Sequence, residues 1–140
     1  MKDQVVPRVV AKLLIPYILL YALYVQWHGD FGPGGGFQAG VIFAAGFVLY
    51  ALIFGLDRLE AVVPPRLIEG GTALGLLLYA GVGIATMLLQ ANYLDYKVLD
   101  PHDPGHGLHL GILLVEFGVG LTVSASMLAI FRAFAGRRRD

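Results

Sequence analysis

The sequence predicts an all-α integral membrane protein with four transmembrane helices, and three observations carry that reading. Of its 140 residues, 57% are hydrophobic and only 14% charged, against about 25% charged in typical soluble domains. A domain this small has too little interior to hide so much apolar side chain from water. The apolar residues also fall into four runs, each near the roughly 20 residues that a helix needs to cross a bilayer. The length predicts a single membrane domain over 1–140.

The first span is expected over Val9–Trp27, the second over Phe37–Leu56, the third over Gly70–Leu89 and the fourth over Leu108–Phe131. A transmembrane β-barrel would alternate polar and apolar residues along strands of about ten residues. Val41 to Phe54 shows no such alternation. Lys2, Arg8 and Lys12 before the first run suit a signal peptide, yet no small-x-small cleavage pattern closes that run, so it is read as a retained helix.

Breakers separate the spans. Gly29 to Gly36 links the first two, a segment with Pro64 and Pro65 links the next, and a polar stretch with Pro101 and Pro104 precedes the fourth. Positive residues cluster at the amino terminus, at Arg58 and Arg66, and at Arg132, Arg137, Arg138 and Arg139. The first loop has no Lys or Arg and the third only Lys97. Both termini and the middle loop are therefore expected to face the cytoplasm. Trp27 suits an anchor at the outer interface.

Zero formal net charge gives no general attraction to nucleic acid. The absence of cysteine removes disulfides, thiolate metal sites and cysteine nucleophiles. No nucleophile triad, dinucleotide fingerprint or haem-attachment motif is present, and neither enzyme activity nor a cofactor is expected. Inside lipid, small residues drive helix packing. Gly36 with Gly40, Gly71 with Gly75, and Gly107 with Gly111 form GxxxG pairs, suited to packing within the unit or against other subunits.

Glu116 is the most informative residue. It lies about two turns inside the fourth span, in Leu-Leu-Val-Glu-Phe-Gly-Val-Gly. A carboxylate at membrane depth is costly, so it faces protein or water and marks a proton or cation site by default; a structural hydrogen bond to a neighbour is the other reading. His109, seven residues earlier, shares its helix face. Lys12 suits either snorkelling to the interface or pairing with a buried acid of a neighbouring chain. Pro16 is expected to kink the first helix, with Tyr17, Tyr21 and Tyr24 following on one face.

The stretch His28-Gly29-Asp30-Phe31-Gly32-Pro33-Gly34-Gly35-Gly36-Phe37-Gln38 is the most distinctive motif. Its glycines allow positive φ and close backbone approach, which suits a tight reversal or the mouth of an ion path. No Gly-Lys-Ser/Thr follows, so it is not a P-loop. Gln38 either lines that path or caps the second helix. His102, His106 and His109 with Asp100 and Asp103 allow a metal site by composition. The prolines oppose a helix spanning His102 and His106, so a solvated, pH-sensitive loop is expected instead.

His28 followed by Pro33-Gly34-Gly35-Gly36-Phe37-Gln38-Ala39-Gly40-Val41 resembles the signature of the B subunit of Mrp-type (Mnh-type) multisubunit sodium/proton antiporters. The four-span layout and length match that family over nearly the whole chain. Glu116-Phe117-Gly118-Val119 resembles the acidic-x-Gly-Val element of the family's last helix, where Asp is the expected acid and Glu extends the reach. The resemblance implies a multi-pass subunit in a prokaryotic cell (inner) membrane. Its partners would be the other subunits of the complex, membrane lipid, monovalent cations and protons. Such complexes exchange external protons for internal sodium or other monovalent cations, and their large subunits resemble the proton-pumping subunits of respiratory complex I. The B subunit has relatives in hydrogenase-type membrane complexes and is needed for assembly without being an oxidoreductase. Three other readings stay open: an independent small proton-coupled transporter, a purely structural subunit, and a relative attached to a hydrogenase- or bicarbonate-linked complex.

Overall fold

The structure is a computed structural model that describes residues 4–29 and 34–137. Its elements are α1 (Val5–Trp27), α2 (Gly36–Phe54), α3 (Leu56–Val62), α4 (Pro65–Leu88), a single 3₁₀ turn (Tyr96–Leu99) and α5 (Pro104–Gly136). Among the described residues there is no strand. Helices α1, α2, α4 and α5 are each long and apolar enough to cross a membrane.

The observed ends differ from the expected ones for local reasons. Helix α1 starts four residues early because Pro7 falls in its first turn, where no amide partner is lost. Pro16 lies inside it and removes one rung of the ladder. Helix α2 stops at Phe54 because Gly55 takes φ +103, a conformation that ends the helix. The link between the second and third spans then forms the short α3, whose Leu59 is fully buried. Pro65 at the first position starts α4 five residues early. Pro104 does the same for α5, with the Asp103 carboxylate accepting from the amides of Gly105 and His106.

The extended helix pairings are α1 with α2, α2 with α5, and α5 with α4. The spans therefore stand in a row, α1–α2–α5–α4, with α5 gripped on two sides. Glycines set both grips. A Cβ on Gly40 would lie 2.6 Å from the Gly120 carbonyl oxygen, and one on Gly36 would strike the Glu116 carbonyl oxygen. Across the other face, a Cβ on Gly75 would lie 2.6 Å from the Gly118 oxygen, and one on Gly118 would lie 2.9 Å from the Gly75 oxygen. The third glycine pair receives the loop before α5: Gly111 faces the Tyr96 ring and Gly107 faces the Tyr96 carbonyl. All three GxxxG pairs are thus spent on contacts inside the chain.

A small core of Ala44, Ile68, Ala125 and Leu128 joins α2, α4 and α5. At the same end of the row, Arg132 Nε donates to Glu60 Oε1 at 2.8 Å, and the Arg8 guanidinium sits 5.7 Å from the centroid of the Phe54 ring. The start of α1, the α2–α3–α4 link and the last turns of α5 therefore share one end. At the opposite end, buried Thr86 donates to the Gly83 carbonyl at 2.8 Å and accepts from the Leu94 amide at 3.0 Å, tying α4 to the following loop.

Gly75→Ala is expected to lower the stability of the folded chain by about 1–3 kcal/mol, because its methyl group meets backbone that cannot turn aside. Gly81→Ala, with open space at its Cβ, is expected to be neutral or slightly stabilising. Thermal unfolding of both variants in the same detergent checks the pair.

Candidate functional site

The site is built where α1 turns back into α2. Gly29 follows the end of α1, and Gly34 and Gly35 precede α2 with φ of +156 and +140. A side chain at Gly35 would be strained in that conformation. Helix α5 passes directly beneath, with Glu116 at the crossing. The Glu116 carboxylate lies against Gly29 so closely that a Cβ there would overlap it. A Cβ on Gly35 would lie 3.1 Å from Glu116 Oε1. The two features singled out in the sequence, the membrane acid and the glycine stretch, therefore meet in one place.

The level of this meeting matters. Gly36 opens α2 beside Glu116, which stands about 18 Å along α5 from Pro104 at about 1.5 Å per residue. Helices α4 and α5 therefore extend about three turns past the α1–α2 reversal. That extension carries exposed Ile84, Met87, Leu88, Leu108 and Leu110, surface that only lipid or protein can cover well. Gly29, Gly34 and Gly35 thus lie below the end of the apolar band. Irregular backbone at such depth is tolerated where protein covers it or a cavity opens beside it.

The remaining motif residues divide. Gly40 packs on Gly120, and Phe37 is exposed on the outer side of α2. Gln38 makes no capping hydrogen bond; its Oε1 lies near Gly34. His28 donates from Nδ1 to the Tyr24 carbonyl at 3.0 Å and stacks on the Tyr24 ring at 4.1 Å between centroids. Pro33, with Asp30, Phe31 and Gly32, lies outside the described residues. His109 is exposed on the second turn of α5, about 10 Å of helical rise from Glu116. Lys12 stands at the other end of the row, about 22 Å along α1 from Trp27, so it does not join Glu116.

Two polar groups escaped the sequence reading. Gln26 on α1 reaches over to Gly120, one turn past Glu116. With Ser124 it lines a mainly apolar groove of about 250 Å³ between α1, α2 and α5. A lone Gln near a helix end carries no pattern of its own; only the crossing of α1 over α5 gives it a place.

The histidine loop caps the start of α5. Among the described residues no group of three or more His, Cys, Asp or Glu side chains is arranged to hold a metal ion. His106 lies inside the first turn of α5 and His102 outside it, as the prolines require. His106 Nδ1 pairs with Asp100 Oδ2 at 2.9 Å, and the amides of His102 and Asp103 donate to Asp100 Oδ1. The His106 contact foremost, then those amides, lowers the Asp100 pKa from its ordinary value. A depressed carboxyl pKa adds stability above the unfolded value of about 3.9, and that contribution fades as pH falls through the folded pKa.

Two outcomes follow. Gly29→Ala is expected to push the Glu116 carboxylate aside without unfolding the chain, because the tip of a flexible side chain can move. Gly36→Ala, which meets backbone, is expected to cost about 1–3 kcal/mol; unfolding midpoints of the two variants separate these effects. Lowering the pH from 5 to 3 is expected to reduce the protection against exchange of the His102 and Asp103 amides in the wild type, and Asp100→Asn should show low protection at both values.

Residues 6–129 match a family described as a domain related to the MnhB subunit of Na+/H+ antiporter. A Staphylococcus haemolyticus protein (strain JCSC1435) named "Putative antiporter subunit mnhB2" is 30% identical over 137 residues, covering 96% of each chain. A protein of that name from Staphylococcus epidermidis (strain ATCC 35984) is 26% identical over 139 residues, covering 98% of each. Another, from Staphylococcus aureus (strain Newman), is 36% identical over 63 residues, covering 45% of each. The matched segment runs from the first turn of α1 to the last turns of α5 and takes in both Glu116 and the glycine turn. The chain belongs to the MnhB family.

Proposed function

We propose that this chain is a multi-pass subunit of a multisubunit sodium/proton antiporter in a prokaryotic cell membrane, and that Glu116 binds and releases a monovalent cation or a proton there. The seating of its carboxylate between Gly29 and Gly35 carries the proposal. Glycine leaves the acid room that any side chain would fill. It also brings polar backbone next to a charge in an apolar setting, where such a group is otherwise costly. The chain carries no catalytic step of its own in this reading. It adds one exchange site, and a wall of four helices, to a route completed by its neighbours. The distribution of Lys and Arg supports placing the termini on the cytoplasmic side, with the Glu116 site nearer the outer face.

One observation favours a second reading. The backbone of Glu116 itself forms the contact with Gly36, so position 116 also serves the fold, and a purely structural subunit would need nothing more. Glu116→Gln separates the two, because it keeps the shape and removes the charge. The expected result is a complex that assembles normally on native gels and loses at least about tenfold in exchange rate, the effect of removing one proton-transfer group. Wild-type exchange by the assembled mutant complex would leave only the structural role. Exchange by this chain alone in vesicles would argue for an independent transporter.

A further inference from the structure

At the other end of the row the structure presents a second polar feature, separate from Glu116. A groove of about 270 Å³ opens between α1 and α2, lined by Lys12, Ile15, Pro16, Tyr50, Phe54 and Arg58. Lys12 and Arg58 enter it from different elements, α1 and α3. Neither has a carboxylate within ion-pair distance among the described residues. Arg8 stands nearby, its guanidinium 5.7 Å from the centroid of the Phe54 ring that also lines the groove. The fold thus brings Lys12 and Arg58 together at one open groove beside the Phe54 ring.

From this arrangement we infer that the groove binds a phosphate oxyanion, the phosphodiester of an anionic membrane lipid being the source that fits it. Lys12 and Arg58 supply the charge, and Arg58 a planar fork of donors matched to phosphate oxygens. The Tyr50 hydroxyl supplies a neutral donor. Ile15, Pro16 and the Phe54 ring continue the groove as apolar surface, the partner that an acyl chain takes and a free anion does not. Basic pockets between transmembrane helices are a known form of lipid headgroup site. The site stands apart from the antiport reading, because none of its residues touches the glycine turn.

The test uses the full chain, purified in mild detergent with whatever subunits accompany it. Native mass spectrometry titrates it separately with phosphatidylglycerol, phosphatidylcholine and inorganic phosphate. Wild type is expected to prefer phosphatidylglycerol to phosphatidylcholine. Each cation removed should cost about fivefold in affinity, so Lys12→Gln with Arg58→Gln should cost about twenty-fivefold. Lys12→Arg with Arg58→Lys, which keeps the charge, should retain binding and shows that loss in the Gln pair is not misfolding. Phosphate binding that is lost in the Gln pair, without any lipid preference, would keep the oxyanion site and assign it to the free ion. Equal phosphatidylglycerol affinity in wild type and the Gln pair would overturn the inference. So would failure of every probe to bind because a neighbouring subunit's carboxylate fills the groove.

Discussion

The structure depends on how closely backbone can approach backbone around α5. Water drives nothing together inside a bilayer, so helices there associate through short-range packing and polar contacts. A glycine hydrogen points where a Cβ would otherwise stand. At Gly36, Gly40, Gly75 and Gly118 that direction leads to a carbonyl oxygen of the facing helix. Such Cα–H contacts are worth ~0.5–1 kcal/mol each, and they occur here in register on two faces of one helix. The reciprocal pair Gly75–Gly118 locks α4 to α5, and Gly36 with Gly40 locks α2 to α5 at Glu116 and Gly120.

The position of the acid follows from that packing. Once Gly36 must lie on the Glu116 carbonyl, the start of α2 is held at that level, and Gly35 with it. The carboxylate of the same residue then extends into the turn. One residue so provides the contact that sets the depth of the turn and the charge that occupies it. Gly29 and Gly35 make this compatible, the first by leaving space and the second by also adopting φ +140.

An open row leaves much side-chain surface uncovered. Tyr17, Tyr21 and Tyr24 remain exposed along α1, as does most of the outer face of α4. A row of this kind suits a subunit that forms a wall beside others more than one that encloses a pore alone. Its two ends also differ in chemistry. One end holds an acid in a glycine turn beneath an apolar overhang; the other holds Lys12 and Arg58 at an open groove. That polarity is already present in the spacing of Lys and Arg along the chain, which the fold then gathers in space.

By itself the sequence determined the membrane class, the number of spans, the family resemblance and the choice of Glu116 and the glycine stretch. These rest on composition and on local run length, which need no knowledge of neighbours. Proline and glycine also marked the breaks, although they could not say on which side of each break the helix would resume. Pro65 and Pro104 begin helices instead of merely ending the loops before them, and Gly55 ends one. Only the tertiary structure decided that Glu116 meets Gly29 and Gly35, that Lys12 belongs with Arg58 at the opposite end, and that Gln26 reaches Gly120. Each of these joins residues far apart in the chain, and the join is set by the closest approach of helices, a property of facing surfaces that no single run of sequence contains.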